Sequence, residues 1–407
     1  MFVFRNVFIP LEDEWAERDV LIDQGVYRQV VPPGTVKGVP ALQSEGRYLI
    51  PAPVDPHVHV RDPGFSHKED WESCTKAALK GGFTTIFDMP NNRVPVTDEK
   101  TLEDKIRVAK EKSYVNFGLY VALTNSNFHA LTADTLQHRI CGIKVYMAKT
   151  TGGITVSSEE ALLRVFAQPK PVLVHTGGMD GLLKLLFVYA RAEKMFSRLP
   201  VLYICHVSTE EEVKVLRKWK RGYPKLHAEV TPHHLFLNRS NYHGPPGVLP
   251  PLEGERDNEA LWDGIAEGIL QMLGTDHAPH TLEEKMSVNP PSGFPGLETA
   301  LPLILRAHRE KRIGLASLLE LTSGRAQRLF RIGEGKGIQP NAPACCVLLS
   351  EGRYTVGEDG YATKCGWSPF HGWEYILKPV LTVVNGEIAY EEGGFIKRQV
   401  RMLHSCG

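Results

Sequence analysis

The chain has no apolar run approaching the roughly 18–20 residues that cross a bilayer. Its start, Met1-Phe2-Val3-Phe4-Arg5, lacks the basic stretch, long apolar core and small-residue cleavage site of a secretory leader. Charge of one sign is also missing: 47 Lys plus Arg balance 47 Asp plus Glu, for a formal net charge of zero. Neither nucleic acid nor an anionic membrane is therefore an expected partner. Cysteine is sparse and odd in number, at Cys74, Cys141, Cys205, Cys345, Cys346, Cys365 and Cys406. That is no disulfide framework and suits a reducing cytoplasm. No G-x-G-x-x-G follows a strand, no phosphate-loop motif occurs, and no G-x-S-x-G elbow announces a serine hydrolase. There is no internal repeat.

What is present is an ordinary globular composition, 42% hydrophobic and 23% charged, over 407 residues. That length suits two or three domains, or one barrel of about 250 residues with an appendage. Eight short apolar runs read as buried strands: 48–54, 84–89, 115–123, 140–147, 171–175, 201–207, 225–231 and 270–275. Helix-like segments lie between them, at 69–80, 98–112, 257–268, 296–312 and 315–330. Ser157 with Glu160 and Ser208 with Glu211 have capping-box spacing. The alternation predicts an α/β fold, a (β/α)8 TIM barrel, over 50–335. An open doubly wound sheet is the alternative. The ends differ. Residues 381–384, Asn385-Gly386 and 387–390 spell a β-hairpin, and 2–9, 17–31, 347–349 and 354–356 are β-rich. A small β domain built from 1–49 and 336–407 is expected.

Barrel enzymes place their chemistry at the C-terminal ends of the strands. There the sequence offers Asp55-Pro56-His57-Val58-His59-Val60-Arg61, then Lys144, His175, Cys205-His206 and Thr275-Asp276-His277-Ala278-Pro279-His280. His57, His59 and Arg61 share a face of an extended segment. Each residue alone is more often structural, but four histidines and an aspartate at strand ends point jointly to metal, and zinc suits these donors. Two cations close together need an anionic bridge. An ammonium has no lone pair, whereas a neutral lysine amine with carbon dioxide gives a carbamate bearing two oxygens. Lys144 could serve so, or could pair with a carboxylate such as Asp276.

These residues carry a family resemblance. Asp55-Pro-His-Val-His-Val-Arg-Asp-Pro-Gly64 with Lys68-Glu69-Asp70, then Asp88-Met-Pro-Asn91, Gly142-Ile-Lys144-Val-Tyr146, Ile204-Cys-His206, Glu229-Val-Thr-Pro-His-His-Leu-Phe236, Thr275-Asp-His-Ala-Pro-His280 and Gly293-Phe-Pro-Gly-Leu-Glu298 resemble dihydroorotases of the amidohydrolase superfamily. The likeness covers about 50–335 and is nearest to type I enzymes, including the dihydroorotase domain of the animal multifunctional pyrimidine-synthesis protein. It implies a cytoplasmic hydrolase of a cyclic amide that reversibly closes N-carbamoyl-L-aspartate to L-dihydroorotate in pyrimidine (UMP) biosynthesis. It implies two zinc ions, one on His57, His59 and Asp276 and one on His175 and His206, bridged by carboxylated Lys144 and hydroxide. Asp276 would carry the proton. Arg61, Asn91 and His280 would bind substrate, and Thr150, in the Thr150-Thr151-Gly152-Gly153 stretch, would touch it from a mobile loop. A homodimer and association with aspartate transcarbamoylase are further implications.

Some relatives hold a third zinc on a Cys and a Glu matching Cys205 and Glu229. Cys205 and His206 are adjacent, so a regular strand would face them oppositely, and both reach one centre only if the strand bends. The sequence therefore favours Cys205 as a buried thiol. One departure stands out: family members commonly carry Asn or Arg, ahead of a proline, where this chain has Leu249. Arg256 or a backbone group could substitute, or affinity or substrate could differ. Two other readings remain at this point: a hydantoinase- or allantoinase-like enzyme, which needs no cation at Arg61, and a non-catalytic scaffold, which would have lost metal ligands.

Overall fold

The computed structural model describes residues 1–404 apart from 151, 334 and 336. Eight parallel strands form the predicted barrel: Val54–Val58, Thr85–Asp88, Asn116–Ala122, Gly142–Tyr146, Val172–His175, Leu202–Ile204, Leu226–Val230 and Met272–Leu273. The last strand meets the first through a bridge between Val58 and His277. Asp55 bolts the same seam, its carboxylate accepting from Thr275 N (3.1 Å) and Thr275 Oγ1 (2.5 Å). Almost every residue of these strands is buried, which explains why the sequence shows apolar runs and little alternation.

Below the site the barrel is filled by Phe87, Tyr120, Leu173, Tyr203, Met272 and Phe330, with Phe87 stacked on Phe330 at 4.4 Å. The histidine cluster sits above this packing, at the C-terminal mouth. The helix Trp71–Lys80 shows how local sequence fixes an element. Asp70 accepts from Ser73 N (2.9 Å), satisfying a free amide of the first turn, and Gly81-Gly82 ends the helix. A Cβ at Gly81 would lie 2.0 Å from the Leu297 carbonyl, so only glycine allows the return.

The second sheet runs in the order Gly394–Phe395, Glu387–Glu391, Glu374–Val384, Cys346–Thr355, Tyr48–Pro51, Phe2–Leu11, Glu14–Asp23, Val26–Val31. It is the separate β domain expected from the two ends. The hairpin turns at Asn385 (φ 51°) and Gly386 (φ 84°), as its sequence requires. Three details differ from the sequence reading. Tyr48–Pro51 pairs with Cys346–Thr355 and is no barrel strand; the first one starts at Val54, because Ala52-Pro53 breaks a single apolar run between two sheets. The tail strand Met402–Leu403 pairs with Phe117 and Gly118 of the barrel instead of the β domain. Both caps lie one residue later, and only one is a capping box: Ser158 caps Glu159–Val165 by accepting from Ala161 N alone, and Thr209 with Glu212 forms the box that opens Glu210–Lys220. Among the described residues no helix is long and apolar enough to cross a membrane.

Candidate active site at the barrel mouth

The strand-end residues converge on a cavity of about 520 Å³ lined by His57, His59, Arg61, Asn91, Lys144 and Tyr146, and further round by Thr150, His175, His206, Leu249 and Asp276. Three backbone kinks aim them, one of them at Arg61 with φ 69°. Asp276 has φ 46° and His206 φ 37°, conformations rare outside glycine, and each follows a strand that has just ended.

His59 places Nε2 2.9 Å from Asp276 Oδ1 and Nδ1 2.6 Å from Asn91 Oδ1. His57 places Nε2 3.3 Å from the same Asp276 oxygen. His175 Nδ1 lies 2.9 Å from His206 Nε2, and His206 Nδ1 is buried without a partner among the described residues. Lys144 Nζ donates to Cys205 Sγ at 2.9 Å, so the alternative pairing with Asp276 is not what the structure shows. Beside the bend at His206, Cys205 and His206 fall in two separate groups that share His57. One ligand atom each of His57, Cys205 and Glu229 lies within 4.8 Å of the others, and the same holds for His57, His206 and Asp276. Cys205, read from the sequence as a buried thiol, thus stands in a group that could hold a metal ion.

Electrostatics sort these groups. Burial pushes His59 down to about 3 and His175 to about 4, and puts His206 well below the ordinary histidine value. Three imidazoles are thereby held neutral, the form that offers a lone pair. Burial would lower His57 too, but Glu229, with Asp276, outweighs it and raises His57 to about 10. Burial would raise Asp276, yet His57, His59 and His206 hold it well below the carboxylate range.

Arg61 is almost wholly buried, and its Nε and Nη1 have no hydrogen-bond partner among the described residues. His280 lies behind it, fully buried, with Nε2 3.2 Å from Arg61 Nη2. Thr150 Oγ1 accepts from Asn91 Nδ2 at 3.4 Å, tying the loop after the fourth strand to the cavity wall; Thr151 lies outside the described residues, as does Cys406. Leu249 is 48% exposed at the cavity edge. Arg256 does not line the cavity and pairs with Glu210 at 2.9 Å, so it does not supply the polar group that Leu249 lacks.

Several residues were not singled out from sequence. Tyr203 donates to Glu229 Oε2 at 2.6 Å; it shares strand parity with Cys205, a signal that was available. Tyr146, two residues past Lys144, lines the cavity by the same parity. Lys285 donates to the carbonyls of Gly247 (2.6 Å), Pro291 (2.9 Å) and Gly293 (3.1 Å), joining the two loops that rim the mouth. Trp367, from the segment before Glu374–Val384, donates to the His280 carbonyl at 2.8 Å. Nothing local in the sequence marks these last two.

Residues 48–185 match the amidohydrolase family. The dihydroorotase of Pyrococcus furiosus is 35% identical over 362 residues, covering 86% of this chain and 84% of that protein. The dihydroorotase of Bacillus cereus is 31% identical over 425 residues, covering 96% and 98%. The multifunctional protein pyr1-3 of Dictyostelium discoideum is 34% identical over 359 residues, 86% of this chain but 15% of that protein's length. Among solved structures, the L-hydantoinase (dihydropyrimidinase) of Arthrobacter aurescens superposes with a TM-score of 0.90 over 99% of both chains at 22% identity, a likeness of fold. With two relatives above 30% identity, each covered over more than four fifths of its length, and with an amidohydrolase match over 48–185, the chain belongs to the dihydroorotases of the amidohydrolase family, hydrolases of a cyclic amide bond.

Proposed function

We infer that the cavity closes N-carbamoyl-L-aspartate to L-dihydroorotate, and reopens it, with two zinc ions on His57, His59, Asp276, His175, His206 and carboxylated Lys144. The donor set fits such a centre, with His57 giving up its proton to a bound cation. Three imidazoles are neutral, His206 Nδ1 is buried with no partner among the described residues, and one Asp276 oxygen faces two histidine nitrogens. Zinc bound there would lower the pKa of a water and polarise the scissile carbonyl. A third zinc on Cys205, Glu229 and His57 is part of the same proposal, supported by their mutual approach.

The chain's own residues divide the remaining work. In hydrolysis the Asp276 carboxylate takes a proton from the attacking water and delivers it to the leaving nitrogen as the C–N bond breaks. In condensation Asp276 starts protonated and gives its proton to the departing oxygen; the carboxylate so freed takes the proton that the ureido nitrogen loses as the C–N bond forms and passes it to the same oxygen, which leaves as water. Arg61 and Asn91 hold the free carboxylate and ring, with His280 behind Arg61 and Thr150 on the loop above. A homodimer, a cytoplasmic location and association with aspartate transcarbamoylase belong to the proposal; likeness to multifunctional relatives supports the last.

The observation that carries the substrate assignment is the Arg61 guanidinium, buried beside the histidine cluster with Nε and Nη1 unpaired. Such a fork suits a substrate bearing a free carboxylate and is wasted on a neutral hydantoin. Purified protein assayed with carbamoyl-aspartate, dihydroorotate and hydantoin decides it. Turnover of the first two supports the reading; turnover of hydantoin alone refutes it.

A further inference from the structure

Lys68, which opens the Lys68-Glu69-Asp70 run, has no part in the reading above. Its side chain is nearly buried, and Nζ lies 3.0 Å from His280 Nδ1 and 3.0 Å from Glu284 Oε1. Across the ring, His280 Nε2 lies 3.1 Å from the Ser292 carbonyl oxygen and 3.2 Å from Arg61 Nη2. The other charged groups facing this ring are Glu284, whose Oε2 is 3.7 Å from Nδ1, and Lys285.

A neutral imidazole carries one N–H, so two arrangements compete. With the proton on Nδ1, that N–H points at an ammonium, which can only donate. Nε2 then presents a lone pair to the Ser292 carbonyl, and only the Arg61 contact is satisfied. With the proton on Nε2, the Lys68 ammonium donates to Nδ1 and Nε2–H donates to Ser292. Two bonds form, and the one acceptor facing the bare Nδ1, Glu284 Oε2, stands beyond hydrogen-bond reach at 3.7 Å. Burial, with Arg61, Lys68 and Lys285 nearby, lowers the His280 pKa, which excludes the imidazolium. In the favoured tautomer Nε2 has no lone pair for Arg61 Nη2. Since Nε and Nη1 are also unpartnered, the whole guanidinium stays uncommitted.

We propose that Lys68 is a positioning residue: by donating to His280 Nδ1 it fixes the Nε2–H tautomer and keeps the Arg61 fork free for the substrate carboxylate. The proposal rests on the assignment of Arg61 to that carboxylate. It adds the reason why a buried guanidinium beside a histidine is not already occupied by it.

Nitrogen chemical shifts of histidine-labelled protein read the tautomer without substrate, with the His280 signals assigned by their loss in His280→Asn. The wild type should show Nδ1 as the bare nitrogen and Nε2 as protonated across neutral pH. Lys68→Met should move the proton to Nδ1 and raise KM for dihydroorotate about tenfold, the cost of first breaking an Arg61–His280 hydrogen bond, with kcat within about twofold. Lys68→Arg, which also only donates, should restore both. A wild-type Nδ1–H tautomer overturns the proposal even if no variant folds, as does a Lys68→Met protein with unchanged shifts and KM. Failure of the underlying assignment would show separately, as an Arg61→Met enzyme with normal KM.

Discussion

Glu229 Oε1 lies 2.8 Å from Nδ1 of His57, whose other nitrogen faces Asp276. One imidazole thus couples a buried carboxylate to the cluster at the cavity floor. Glu229 is itself held by Tyr203 OH and by the His206 amide, at 2.6 and 3.0 Å. Glu229→Gln keeps the shape and removes the charge. Bound metal should fall in affinity by about tenfold or more, as when a partner of a ligating histidine is removed. Metal titration followed by calorimetry checks this. Unchanged affinity at every site would mean that Glu229 only fills space.

Lys144→Ala should lose metal and nearly all activity, because among the described residues lining the cavity no other is free to supply an anion between the two histidine groups. Added short carboxylic acids should restore part of both. Metal analysis beside a cyclisation assay measures the effect. A variant retaining two metals and full turnover contradicts the carbamate role.

Arg61→Met preserves the stem and deletes the fork. The expected loss in kcat/KM is about 3 kcal/mol, roughly a hundredfold, for a charge-assisted pair in a dry site. Metal content should not change. Equal losses of metal and activity would place Arg61 in the scaffold of the metal site.

Burial would raise the pKa of the half-buried Asp70 carboxyl, but its ion pair with Lys364 and the Ser73 amide hold it below the usual range. The unfolded state therefore binds this proton first as pH falls. The pair's contribution is full above the ordinary carboxylate value of about 4 and is lost as pH drops through the lower folded value. Solvent screening limits it to at most about 1 kcal/mol. Asp70→Asn keeps a good cap, so its Tm deficit should be constant near neutrality and shrink below about pH 4. A deficit that grows on acidification reverses the sign.

Much of the barrel and of the histidine cluster at its mouth was legible because strand-end residues sit at fixed parity, as His57 does with His59. What escaped was set by backbone outside the strand geometry. The turn of His206 to φ 37° lies beside the two groups, sharing His57, that hold Cys205 and His206, and no local pattern announces it. The run 48–54 hides a sheet change, since burial on both sides makes either assignment apolar. Lys68, Lys285 and Trp367 reach the site across 212, 38 and 87 residues of chain, a separation that periodicity does not encode.

The most direct test is initial rates in both directions from roughly pH 5.5 to 10, for the wild type and Asp276→Asn. One aspartate that must be ionised for ring opening and protonated for ring closure makes hydrolysis rise and condensation fall with pH, crossing near neutrality. The amide variant can neither take nor give that proton, so both rates should collapse. Profiles that run parallel in the two directions, or an Asp276→Asn enzyme at wild-type speed, would contradict the account and place the proton carrier elsewhere.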